Sequence, residues 1–158
     1  MIETADVAIL EIEKRGYPAI FRQLYDGRIP LELVGSCATP KRYFKIVRDL
    51  ASVVPTAENW LPLWESNLEA IVAFYTANEI YVRHYYGTDE VETLGESYQQ
   101  LVSAFFLELV DSGVWDELDD IAALFQYKHT DELREFVGSC DDSNFEESNR
   151  QFVSSIAD

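Results

Sequence analysis

Residues 60–87 read WLPLWESNLEAIVAFYTANEIYVRHYYG, and this stretch decides the fold. It holds three runs rich in Trp, Ile, Val, Tyr and Phe, the residue types that suit a half-buried pleated surface. Trp60–Ser66 is a candidate strand. Residues 69–75 and 79–86 are two more, and the short stretch Thr76, Ala77, Asn78 between them reads as a hairpin loop. In the last run Ile80, Val82, His84 and Tyr86 fall on one face, and Tyr81, Arg83 and Tyr85 on the other. Trp60 and Trp64 share strand parity, which predicts one aromatic face on the first strand. Core packing suits both rings better than exposure does.

The flanks of this stretch carry helical signals. Residues 4–15 suit a helix with Thr4 as cap and Gly16 as stop, although the run Ala8, Ile9, Leu10 also allows a strand. In GYPAIFRQLYDG (residues 16–27), Pro18 fits a first helical turn, Phe21, Leu24 and Tyr25 share a face, and Gly27 ends the helix. RIPLELVGS (28–36) alternates weakly, as a short strand would. Thr39 and Pro40 then open a third helix, with Phe44, Val47, Leu50 and Ala51 as its inner stripe. Beyond the β part, Thr93 and Glu96 are spaced as a capping box. Leu94, Tyr98, Leu101, Val102, Phe105, Leu109 and Val110 follow at helical spacing up to Gly113. Leu118, Ile121, Ala122 and Phe125 mark a second helix. Leu133, Phe136 and Val137 mark a third, with Thr130 as cap. Ser143 and Glu146 suggest a further box, before a helix with Phe145, Phe152, Val153 and Ile156 inward. Helices, a hairpin-rich centre and then helices again make an α+β chain rather than an alternating one.

The chain has 158 residues, suits a single domain over 1–158, and shows no repeat or linker. At that length a core forms without a disulfide or metal. Cys37 and Cys140 allow one disulfide in principle, but two thiols of a reducing cytoplasm fit better. No apolar run reaches the roughly 18 residues of a membrane span. The N-terminus carries acidic residues before its apolar stretch, unlike a secretory leader. Net charge is −17. Residues 1–88 hold 9 Lys and Arg against 11 Asp and Glu, so −2; residues 89–158 hold 3 against 18, so −15. Phosphate binding rests on Lys and Arg, so nucleic acid and anionic membranes are unfavourable partners. A basic protein is favourable, since a field of one sign speeds its encounter. Acidic helices also simply confer solubility.

Signatures of catalytic chemistry are sparse in this sequence. His84 sits mid-strand among aromatics, as a hydrogen-bonded structural histidine would, and His129 precedes a helix start. Neither belongs to a nucleophile signature, and a Cys37–His pair has no support in spacing. No CxxC, HExxH or glycine-rich phosphate loop occurs. DDSNFEE (141–147) has a distant likeness to a calcium loop but lacks the central Gly. No pair of carboxylates stands out for acid–base work. The reading is a non-enzyme with no cofactor and no metal. Lys41, Arg42, Lys45 and Arg48 cluster on the third helix, as a solvated face, a face meeting acidic helices, or a small anion site. Trp115 is placed to staple two helices. The candidate partner-binding face is acidic: Asp116, Glu117, Asp119 and Asp120 at a helix start, and Asp141, Asp142, Glu146 and Glu147 near the C-terminus.

Several of these features together resemble the SUKH superfamily, which includes fungal cell-wall-synthesis regulators and many bacterial immunity proteins. The similar features are Pro18, Phe21 and Gly27 in the early helix, Leu61-Pro62 at a strand start, the aromatic hairpin over 71–86, and Tyr98 and Leu101 in the helix after it. They span roughly residues 17–137, mostly as hydrophobic pattern, and SNLEA (66–70) stands where a small Gly/Asp-rich turn is common. The resemblance implies a twisted antiparallel sheet flanked by helices, no catalytic residues, and a cytoplasmic protein that neutralises a cognate toxin by covering its active site. A non-enzymatic scaffold or adaptor for a cellular protein is the alternative.

Overall fold

The computed structural model describes residues 1–49 and 59–158. The chain forms two compact units, Met1–Thr93 and Leu94–Asp158. Seven α-helices and one four-stranded antiparallel sheet are present among the described residues, the α+β composition read from the sequence.

In the first unit, α1 (Ala5–Lys14) starts where Thr4 Oγ1 accepts from Val7 N at 3.3 Å. It ends at Gly16, whose φ of +71° few other residues adopt. Helix α2 (Ala19–Tyr25) follows Pro18 and buries Ile20, Phe21, Leu24 and Tyr25. Residues 28–36 hold a 3-10 turn over Leu31–Leu33 rather than a strand. Its bond from Leu33 N to Pro30 O starts at a proline whose φ of −52° already suits a turn. Helix α3 (Lys41–Asp49) follows Pro40, but Thr39 does not cap it: its hydroxyl is buried with no hydrogen-bond partner among the described residues. Tyr43 is the buried member of its inner stripe, with Phe44 and Val47 packed beside it. Leu50 and Ala51 lie outside the described residues.

The sheet runs β1 (Trp60–Ser66), β2 (Ala70–Tyr75), β3 (Ile80–Tyr85), β4 (Val91–Gly95), in that order. Trp60 pairs with Tyr75 and Pro62 with Ala73, but Trp64 pairs with Val72, so β1 bulges between Pro62 and Trp64. Proline donates no ladder bond and is at home at such a bulge on an outer strand. The extra residue reverses parity. Trp60 shares a face with Ile71, Ala73 and Val82, and Trp64 lies on the other. The expectation of one aromatic face is therefore wrong, although both rings are fully buried. Tyr43 of α3 joins the core on the Trp60 face. On the Trp64 face Phe21 approaches the indole at 6.2 Å, the Tyr17 and Tyr81 hydroxyls bond at 2.9 Å, and Arg15 lies 4.9 Å over Phe74. Tyr25 OH donates to the Pro62 carbonyl at 2.7 Å, fastening α2 to the bulge. The β1–β2 connection places Asn67 and Leu68 at φ +50° and +60°, the left-handed pair that a two-residue hairpin turn requires.

One buried charge shapes this unit. The Glu65 side chain is wholly buried; Tyr86 OH donates to its Oε2 at 3.1 Å, and Arg42 Nη2 lies 2.8 Å from Oε1. Nη2 also donates to the Leu68 carbonyl, and the guanidinium lies 5.6 Å over the Tyr86 ring. Arg42 thus ties α3 to β1 and its turn, rather than belonging to a wholly solvated basic face. Arg42→Ala would leave a buried carboxylate without its cation and is expected to cost about 2–4 kcal/mol in urea unfolding. The double variant Arg42→Met with Glu65→Leu should recover most of that loss; a double variant as unstable as the single would contradict this account.

In the second unit, the sequence reading misplaces the start of the first helix. Thr93 and Leu94 belong to β4, so Thr93 and Glu96 form no capping box. Helix α4 (Tyr98–Asp111) is capped by Ser97, whose hydroxyl accepts from Gln100 N, while Gln100 Oε1 accepts from Glu96 N. The cap lies four residues on, and Gln100 reaches back to the amide one residue before it rather than to the Ser97 amide of a full capping box. Gly95 is required there, since a Cβ would come within 2.6 Å of Gln100 Cβ. Buried Leu101, Val102, Phe105 and Leu109 follow the expected stripe, with Phe106 added. Helices α5 (Leu118–Phe125), α6 (Thr130–Ser139) and α7 (Phe145–Ser155) complete the unit. Neither Thr130 nor Ser143 caps: His129 and Asn144 occupy the cap positions without side-chain bonds. The α5–α6 connection is held by Gln99, whose side chain donates to the Gln126 carbonyl at 3.1 Å and accepts from Lys128 N at 3.0 Å. Ser103 bridges the Gln99 carbonyl and the Tyr127 hydroxyl, both at 2.8 Å.

Burial pushes the phenols of Tyr25, Tyr43 and Tyr86 above their ordinary range, with Glu65 adding to the effect on Tyr86, and it pushes Tyr127 up to about 12. In the unfolded chain these phenols ionise near pH 10. The native state therefore holds protons that the unfolded state releases, and stability present below about pH 10 is lost as pH rises toward 12. Urea midpoints measured from pH 8 to 11 should fall above about pH 10; a flat series would contradict the burial of these hydroxyls.

Candidate functional site

The second unit carries 15 Asp and Glu against 3 Lys and Arg, a net −12. Its cations are Lys128, Arg134 and Arg150. Arg134 Nη1 lies 2.8 Å from Asp119 Oδ1, and Arg150 lies 3.6 Å from Glu147. Among the described residues Asp116, Glu117, Asp120, Asp141 and Glu146 have no cationic partner, and all five are exposed.

Some of these carboxylates have local structural roles. Asp141 accepts from Ser143 N at 3.2 Å and starts the 3-10 turn Asp142–Asn144. Glu146 and Glu147 stand in the first turn of α7, where anions favour the helix dipole. Asp119 and Asp120 do the same for α5. Asp116 and Glu117 do not, contrary to the expectation that all four occupy the first turn. The helix begins at Leu118, and Glu117 sits at the cap position with φ −88° and ψ 0°, making no side-chain cap bond. Two adjacent exposed acids thus sit where neither pairing nor capping accounts for them.

Trp115 stands directly before them. Trp60 and Trp64 are buried, but Trp115 is 40% exposed. Its ring lies 5.9 Å from the Arg134 guanidinium, which also pairs with Asp119. Trp115, Asp119 and Arg134 therefore join the start of α5 to α6. Helix α6 is joined to α7 by Phe136 and Phe152, stacked at 4.5 Å with ring planes 11° apart. No hydrogen bond or ion pair among the described residues links the Asp116–Asp120 group to the Asp141–Glu147 group. Sequence reasoning placed Trp115 at a helix junction but missed its exposure; the clue was an indole amid four carboxylates.

The remaining candidates are held by local bonds. His84 is buried, and its Nε2 donates to the Thr88 carbonyl at 2.7 Å. His129 Nε2 donates to the Ala157 carbonyl at 2.7 Å, and its Nδ1 lies 3.3 Å from Glu132. The Glu132 carboxyl is held below its ordinary range, first by a backbone N–H and then by His129. Lys41 and Lys45 are exposed on α3. Among the described residues no three His, Cys, Asp or Glu side chains gather as a metal ion needs, and no helix is long and apolar enough to cross a membrane. Comparison with protein-family models, curated proteins and solved structures finds no match to this chain.

Trp115 is expected to be the one indole open to a neutral quencher. Acrylamide titration should show one accessible component that Trp115→Phe removes; quenching unchanged in that variant would refute the assignment.

Proposed function

We propose that this chain is a non-enzymatic binding protein of the cytoplasm, whose acidic C-terminal unit docks a basic protein. In the form that the SUKH resemblance suggests, the partner is a cognate toxin domain and docking covers its active site. The observation that carries the reading is the group around Trp115. An exposed indole lies beside Asp116 and Glu117, acids with no cation and no capping role among the described residues. An aromatic anchor with a charged rim is the anatomy of an interface. The net −12 of the unit supplies the long-range attraction, and a toxin acting on nucleic acid offers the positive cleft that matches it.

The test is association kinetics with the basic protein that the chain captures in its native host. Reversing Asp116 and Glu117 to Lys should lower the on-rate at least about tenfold at low salt while leaving thermal stability nearly unchanged. Raising ionic strength should slow the unaltered chain toward the variant. An on-rate indifferent to both changes would end the proposal.

A further inference from the structure

We infer that Trp115 and Asp119 form a seat for a guanidinium, filled in the free chain by its own Arg134 and taken over on docking by an arginine of the basic partner. The inference rests on the docking function proposed above and names the group that the site recognises.

The geometry is that of arginine recognition. The Arg134 guanidinium lies 5.9 Å from the Trp115 ring centroid and places Nη1 2.8 Å from Asp119 Oδ1. A planar, delocalised cation stacks on an indole and bonds a carboxylate at once; a compact ammonium does these less well together. Asp119 and Trp115 are open to solvent, 70% and 40% exposed, and the Arg134 side chain lies half-buried between them and α6. An ion pair whose carboxylate is this exposed contributes little, so an arriving arginine competes with Arg134 for Asp119 at modest cost. Asp116, Glu117 and Asp120, all exposed, neighbour Trp115 and Asp119 in sequence and have no cationic partner among the described residues. Arg134 thus acts as a mild internal competitor, shielding an otherwise bare indole and carboxylate until a partner arrives.

This makes a prediction that a purely structural role for Arg134 does not. Octaarginine and octalysine peptides serve as probes, with dissociation constants measured by calorimetry at low salt. Arg134→Lys keeps the charge but removes the planar competitor, so octaarginine should bind about threefold tighter than to the unaltered chain. Octalysine should change less. Trp115→Leu should abolish the preference for octaarginine while leaving octalysine binding nearly intact. Equal or weaker octaarginine binding to Arg134→Lys overturns the seat, as does a preference that survives Trp115→Leu. If basic peptides bind the acidic unit but never distinguish arginine from lysine, the seat fails and the docking function stands. If neither peptide binds, both fail.

Discussion

A proline that cannot donate a backbone hydrogen bond sets the architecture of the first unit. Pro62 breaks the β1 ladder, the strand gains one residue, and the tryptophans on either side point to opposite faces of the sheet. The sheet can then be buried on both sides: Trp60 with Tyr43 on one, Trp64 with Phe21 on the other. Tyr25 satisfies the Pro62 carbonyl, and Glu65, further along the same strand, fixes α3 through Arg42. The strands consequently read as near-continuous apolar runs rather than as clean alternation.

The second unit is organised by backbone satisfaction from within its helices. Gln99 projects from α4 and occupies the free groups of the α5–α6 connection, where Gln126 adopts a left-handed conformation. That clamp fixes the start of α6, and Arg134 on α6 reaches back to Asp119. A buried amide thereby supports an exposed aromatic and its carboxylates. The apolar interior faces inward at ordinary helical spacing, which leaves the outer surface free to carry charge far from neutrality.

Much of this was legible in the sequence, for identifiable reasons. The hairpin over 70–85 and the caps of α1 and α2 follow from local chemistry: aromatic runs, a threonine, a proline and two glycines. The stripes of α4 and α5 follow from period alone. The errors share a cause, which is that a tertiary partner overrides a local signal. Trp60 and Trp64 look equivalent until the bulge separates them. Thr93 and Glu96 satisfy the spacing of a capping box, yet the edge of the sheet claims Thr93 and the true cap is Ser97. Residues 31–33 alternate like a strand but have no neighbouring strand to pair with among the described residues, so Pro30 turns them into a 3-10 turn. At the candidate site, charge was readable by counting. Which acids lack a structural role was not, because that depends on where α5 begins, and the position of Arg134 against Trp115 depends on helix packing.

In the proposed function the acidic unit meets a positively charged protein through its carboxylates. Zero-length carbodiimide coupling joins a carboxylate to a lysine amine only where the two touch, so the residues coupled in the purified complex report where the acidic unit and its partner meet. Asp116, Glu117 and Asp120 are expected to couple to lysines of the partner. Couplings confined to residues 1–93, or none at these three acids, would contradict it.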